Sequence, residues 1–168
     1  DVQTPEGIAR PGFFRGVATV VSKLFNLTRP TLAVFGQKDG VQCIVIRQMV
    51  RDLNFDIEID VARTTREADG LAMSSRNVRL DENSREKASV ISRALITASK
   101  AKSLESARKI LREVLASEDS LTVDYAEIID EKDFSTAVPS TRKKRGIVAG
   151  WLNGVRLLDN MQMDIGSE

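Results

Sequence analysis

The sequence predicts an α/β protein: helices on a parallel sheet, followed by a small α+β unit. Three observations predict it. Between Phe13 and Val61 the hydrophobic pattern alternates helix, strand, helix, strand, the order that builds a parallel sheet. From Arg63 to Asn77 the periodicity stops. Beyond Asn77 two helical patterns precede strand patterns, the order of an α+β unit.

The elements follow in order. Asp1 to Pro11 reads as an irregular lead-in, broken by Pro5, Gly7, Pro11 and Gly12. Phe14, Val17, Ala18, Val21, Leu24 and Phe25 recur at three and four, which is one face of a helix that Pro30 ends. Thr31 to Phe35 is an apolar run of buried-strand length. It breaks at Gly36-Gln37-Lys38-Asp39-Gly40, and a second helical pattern runs from Val41 to Leu53. Ile57, Ile59 and Val61 alternate with Glu58 and Asp60, a strand signal. Arg63 to Asn77 reads as a long functional loop or a loop opening a helical turn.

Glu82 to Lys102 reads as one helix and Ser103 to Leu115 as another. Ser103 and Ser106 offer caps, without the Glu or Gln of a usual capping box. Val123 to Ile129 and Gly146 to Leu152 read as strands, with Arg156 to Asn160 extending a third. A boundary near Asn77–Val78 divides the chain into residues 1–77 and 78–168. Domains of that size bury only ~60% of their unfolded surface and are marginal alone.

Composition excludes several chemistries. The hydrophobic fraction is 42% and the charged fraction 29%, which sets aside disorder and disulfide scaffolds. Twenty-five Lys and Arg against 24 Asp and Glu leave a formal charge of +1, so no general field steers nucleic acid or an anionic membrane. No apolar run approaches the ~20 residues of a membrane helix, and the front does not read as a signal peptide. The single Cys43 makes no internal disulfide and favours a reducing, cytoplasmic setting. There is no His, so histidine-based nucleophile systems, acid–base work and zinc sites are excluded within the chain. Chemistry here runs on Lys, Arg, carboxylates, hydroxyls and backbone amides.

Two constellations carry chemical potential. In Phe35-Gly36-Gln37-Lys38-Asp39, with Gln42 one turn on, a strand ends and a helix begins. In open α/β sheets ligands bind at the carboxyl ends of the strands, and helix N-termini favour phosphate. Lys38 is a compact cation for an anionic oxygen, Asp39 an acceptor for a ribose diol, and Gln42 faces the same mouth. Read from spacing alone, a solvated turn with an ordinary Lys-Asp pair is the simpler account.

Asp69-Gly70-Leu71-Ala72-Met73-Ser74-Ser75-Arg76-Asn77 sets two hydroxyls beside a guanidinium on a Gly-entered loop. Hydroxyls and backbone amides can cup phosphate, and Arg can stabilise transferring charge. A polar helix start capped by Ser74 or Ser75 is the competing account. The run Thr141-Arg142-Lys143-Lys144-Arg145 lacks interleaved aromatics and reads as a solvated loop, not a nucleic-acid patch. Trp151 reads as core and Cys43 as a small buried hydrophobe.

Three segments together are distinctive: Arg10-Pro11-Gly12-Phe13-Phe14-Arg15-Gly16-Val17 and the residues to Asn26, Phe35 to Asp39, and Arg66 to Asn77. In this order they resemble the pantothenate synthetase (pantoate–β-alanine ligase) family, and the likeness continues through Ala149-Gly150-Trp151-Leu152 and Arg156 to Asn160. The resemblance implies a Rossmann-like nucleotidyltransferase domain of the HIGH/KMSKS type, then a small α+β lid. It implies condensation of pantoate with β-alanine using ATP and its Mg2+, through pantoyl adenylate, with release of AMP and pyrophosphate. It assigns Lys38, Ser74, Ser75 and Arg76 to the ATP phosphates, Gly36 and Asp39 to the ribose, the Thr65 and Met73 backbones to adenine, and Gln42 to pantoate. It implies a homodimer, and no protein-held metal site.

The sequence departs from the family in two ways. Val41, after Gly40, stands where the first of two glutamines is usual, while Gln42 keeps the second. The histidine-bearing HxGH-type motif and an early pantoate-binding glutamine are absent, so the chain, which starts at Asp1, resembles the carboxyl-terminal portion and is expected to be inactive alone. A parallel sheet without its first strand is expected to expose an edge and an apolar helix face. The alternatives are another adenylylating nucleotidyltransferase with a different acid, and a non-catalytic dimerising or lid module.

Overall fold

The computed structural model describes residues 4–165. Two compact units divide between Thr64 and Thr65. The segment 65–77, assigned from sequence to the first domain, therefore belongs with the second unit. The reason is packing. Leu71 lies in the second unit's core, and Arg66 pairs with Asp159 on its last strand.

In the first unit the lead-in is not wholly irregular. Helix α1 (Pro5–Ala9) forms there because the Thr4 hydroxyl accepts the Gly7 amide at 3.1 Å and Pro5 takes the first turn, where its missing N–H costs nothing. Helix α2 spans Phe13–Thr28. It ends in a left-handed Arg29 whose amide returns to the Phe25 carbonyl at 2.8 Å, and Pro30 prevents continuation. Strand β1 (Leu32–Gly36) and strand β2 (Glu58–Ala62) pair in parallel, with Ala33 opposite Ile59 and Gly36 opposite Ala62. A 3₁₀ turn at Gln37–Asp39 leads straight into helix α3 (Gly40–Asp52).

Phe25, Ile46 and Met49 centre this unit's core, against Ala33 and Phe35 of β1 and Ile57 and Ile59 beside them. Phe25 meets the rings of Phe35 and Phe55 edge-on, at 6.4 and 5.8 Å. The run expected to be a buried strand is half-buried on one face and exposed on the other. Leu32 and Val34 are 50% and 57% exposed, and Val20, Leu24 and Leu27 of α2 are exposed too. Exposed apolar side chains thus lie on both β1 and α2 of this unit.

The second unit opens with a small hairpin. The Met73 amide donates to the Thr65 carbonyl and the Glu67 amide to the Leu71 carbonyl, both at 2.9 Å, around Gly70 at φ 88°. A 3₁₀ turn follows at Asn77–Arg79. The expected helix over 82–102 is two: α4 (Glu82–Lys87), capped by Asp81, and α5 (Val90–Ser99). Helix α6 (Leu104–Ala116) does carry a capping box, with the Ser106 hydroxyl in the role usual for Glu or Gln. Strands β3 (Leu121–Asp130), β4 (Lys144–Leu152) and β5 (Val155–Met163) form an antiparallel sheet in that order. Asn153 and Gly154, both at positive φ, make the two-residue turn between β4 and β5.

Helices α5 and α6 cover this sheet through Leu95, Ile91 and Leu111 against Ile128, Val148 and Leu152. Two sequence expectations are corrected here. Of the basic run, Lys144 and Arg145 are buried within β4. Lys144 Nζ donates to the Pro139 and Thr141 carbonyls at 3.1 and 2.6 Å, and Arg145 bonds Asn160 and Glu131. Trp151 is not core but 44% exposed. A bulge between Val123 and Tyr125 turns Asp124 toward it, and Asp124 accepts from Trp151 Nε1 at 3.1 Å and Arg156 Nε at 2.7 Å.

Candidate functional site

The candidate residues sit in two places, one in each unit. In the first unit, parallel pairing sets the carboxyl ends of β1 and β2 side by side, at Gly36 and Ala62. Gly36 closes β1 with φ −76°, and nothing lies within 4 Å of where a Cβ would stand. Neither backbone strain nor internal packing therefore requires glycine there. The backbone there is open to approach from outside.

Lys38 is half-buried in the 3₁₀ turn, and Asp39 is exposed at the start of α3. The Asp39 side chain makes no capping bond to the helix. Gln42, half-buried in the first turn of α3, lies between buried Val41 and Cys43. The Cys43 thiol donates to the Gly36 carbonyl at 3.4 Å, which ties the helix to the strand end. Gly36, Lys38, Asp39 and Gln42 thus come from one strand–turn–helix junction, as the sequence predicted.

In the second unit the hairpin joins Thr65 to Met73 backbone to backbone, so the two residues assigned to adenine are held together. Past Met73 the chain makes a tight turn. The Ser74 hydroxyl accepts the Arg76 amide at 3.2 Å, and the Ser74 carbonyl accepts the Asn77 amide at 3.0 Å. Ser74 caps this turn and not an α-helix; the first full helix of the unit is α4. Ser75 and Arg76 are exposed at the tip, and Met73 is 50% exposed.

The tip is braced from several sides. Asn77 Nδ2 donates to the Ala72 carbonyl at 3.1 Å, while its Oδ1 is buried with no partner among the described residues. Arg66 pairs with Asp159 through both guanidinium nitrogens, at 2.6 and 3.0 Å. Asp69 pairs with Arg85 and accepts the Leu71 amide at 3.1 Å. The Arg85 hydrogen bond, helped by the Leu71 amide, holds the Asp69 carboxyl below its usual range, and Asp69 in turn raises Arg85. Sequence reasoning missed Arg66, Asp159 and Arg85 as supports; spacing carries no signal for partners this far apart.

A parallel-strand end that hands over to a helix through Gly-Gln-Lys-Asp, and a Ser-Ser-Arg turn on a braced hairpin, define an α/β nucleotidyltransferase-like fold. A family model described as Pantoate-beta-alanine ligase matches residues 2–162, and the chain belongs to that family.

The chain is 46% identical over 166 residues to a pantothenate synthetase of Herpetosiphon aurantiacus, covering 94% of this chain and 59% of that protein. It is also 46% identical over 165 residues to a pantoate–beta-alanine ligase of Oryza sativa subsp. japonica, covering 96% of this chain and 53% of the relative. A crystal structure of pantothenate synthetase from Thermus thermophilus superposes with a TM-score of 0.90 at 40% identity, covering 97% of this chain and 62% of that one. A pantoate-beta-alanine ligase from Francisella tularensis, complexed with beta-gamma ATP and beta-alanine, gives 0.71 at 29% identity, over 97% of this chain and 55% of that one. The chain thus spans little more than half the length of these relatives. Among the described residues, no helix is long and apolar enough to cross a membrane.

Proposed function

We propose that the protein containing this chain joins pantoate to β-alanine at the expense of ATP. A pantoate carboxylate oxygen attacks the α-phosphorus, and the bond to pyrophosphate breaks. The β-alanine amine then attacks the acyl carbon of the adenylate, AMP leaves, and the amine proton passes to solvent. Two anions must be aligned and their charge neutralised as the phosphoryl bond changes hands, which asks for fixed donors more than for covalent catalysis.

Lys38, Ser74, Ser75 and Arg76 are assigned to the phosphates. Gly36 and Asp39 take the ribose, the Thr65 and Met73 backbones the adenine, and Gln42 the pantoate. Magnesium enters as MgATP, part of the substrate. The observation that carries this reading is the Ser74–Arg76 turn, whose internal hydrogen bond sets an exposed guanidinium beside two hydroxyls. The Francisella tularensis relative complexed with beta-gamma ATP and beta-alanine supports it. A cytoplasmic homodimer belongs to the same proposal; buried Cys43, which is in no disulfide, suits a reducing compartment.

Calorimetric titration of MgATP tests the assignment. The chain is expected to bind it, and Lys38→Ala and Arg76→Ala are each expected to weaken binding about tenfold or more. Undiminished affinity in both variants would reject the assignment. Having no histidine, the 168-residue chain by itself is expected to release little AMP from pantoate, β-alanine and ATP. Turnover matching a full-length relative would overturn that part.

A further inference from the structure

We propose that Arg66 and Asp159 are the positioning pair of the phosphate turn: they set where Ser74, Ser75 and Arg76 stand, without touching the nucleotide. The inference rests on the assignment of those three residues to the ATP phosphates.

The pair links residues 93 apart in sequence. Asp159 lies in β5 opposite Val148 of the central strand, and its side chain is 4% exposed. Its carboxylate is oriented twice, by the fork of Arg66 and by the Asn160 amide at 2.7 Å. The same guanidinium also donates to the Asn160 carbonyl at 3.3 Å and to the Gly70 carbonyl at 3.0 Å. One side chain therefore ties both arms of the hairpin to the sheet: its own arm, and the turn that precedes Leu71 to Met73.

Gly70 is at φ 88°, where an L side chain is strained, and Ser92 Oγ lies 3.2 Å from where a Cβ would stand, so the turn's shape favours glycine. From this anchored root the chain runs through Met73, bonded to Thr65, to the exposed Ser75 and Arg76.

Stability alone is a weak reason for burying such a pair. Burying an ion pair costs desolvation that its attraction barely returns, and apolar residues of similar volume often serve the fold as well. What the fork supplies is geometry: two parallel hydrogen bonds fix position and angle in a way that a lysine point charge does not. A group that must meet a phosphoryl transition state needs that precision in its support.

The test uses the whole chain, with Asp159→Asn and Arg66→Lys. Amide hydrogen exchange reads the hairpin, and calorimetry with MgATP reads the site. In both variants the Glu67, Gly70 and Met73 amides are expected to exchange about tenfold faster, while the β3–β4–β5 ladder stays within about twofold. MgATP affinity is expected to fall about tenfold, and Asp159→Asn is expected to add clearly less, about threefold or below, when Arg76 is already Ala, because the pair acts chiefly through that residue and only in part through Ser74 and Ser75.

Full additivity in that cycle, or hairpin amides as protected as in the unaltered chain, overturns the proposal. A loosened hairpin with unchanged MgATP affinity rejects it while leaving the phosphate assignment standing. An unaltered chain that binds no MgATP removes the assignment, and the inference with it. If Asp159→Asn exposes the whole sheet to exchange, Arg66→Lys, which keeps the charge, decides.

Discussion

The Ser74 hydroxyl accepts the Arg76 amide at 3.2 Å, so the two residues are joined in one turn. Ser75, between them, is exposed. The Ser74→Ala variant frees the Arg76 amide, and Ser75→Ala leaves it bonded. MgATP affinity is therefore expected to fall more in Ser74→Ala, by about three- to tenfold, the value of one such hydrogen bond. Equal losses in the two variants would show that the turn's internal bond is irrelevant to binding.

Arg76 itself is assigned to charge that develops during transfer. In the active enzyme, Arg76→Ala is expected to lower the adenylation rate by about a hundredfold, or ~3 kcal/mol, with little change in pantoate affinity. Single-turnover pyrophosphate release, beside a pantoate titration, measures both. A tenfold rise in the pantoate dissociation constant with unchanged turnover would reject the role.

Asp69 provides an acid-side signature. Its carboxyl is held below the ordinary 3.8 chiefly by the Arg85 hydrogen bond. The native state therefore binds that proton less readily than the unfolded chain. The stabilisation is complete above the ordinary value and is lost as pH falls through the depressed one. Asp69→Asn is expected to unfold at lower urea than the unaltered chain at neutral pH, with the gap closing as the pH drops below that ordinary value. A gap independent of pH in urea titrations would remove the ion pair from the account.

Two glycines should separate binding from folding. At Gly150 an added Cβ would stand 2.9 Å from the Thr122 carbonyl oxygen and 3.4 Å from the Val123 Cα, in backbone that cannot yield cheaply. Gly150→Ala is expected to cost ~1–3 kcal/mol in urea unfolding. Gly36 has open space and an ordinary φ of −76°. Gly36→Ala is expected to leave the melting temperature unchanged and to weaken MgATP. An unchanged affinity would mean that no ligand approaches Gly36.

Much of this protein was legible in residue order. The three- and four-residue spacing from Phe14 to Phe25 became α2, and the alternation from Ile57 to Val61 became β2. The Gly36–Asp39 break became a strand–turn–helix junction. The strand pattern extended from Arg156 to Asn160 became part of β5. These features are local. They depend on which side chains share a face over one or two turns and on where the backbone can bend, and composition within a short window carries that information.

Tertiary structure decided the rest. Residue types in the run from Arg142 to Arg145 are alike, yet Arg142 and Lys143 stay in water while Lys144 and Arg145 are buried in β4. Carbonyls of Pro139 and Thr141 and the side chains of Asn160 and Glu131 receive those two cations, and only folding brings such acceptors near. Trp151 is drawn outward by the bulge at Asp124, and segment 65–77 joins the second unit because Arg66 finds Asp159. Sequence determined the elements and the chemistry each one carries. Burial, and the distant partner that braces each charged group, were set by the fold, because desolvation and ion pairing depend on separation in space and a linear pattern does not record it.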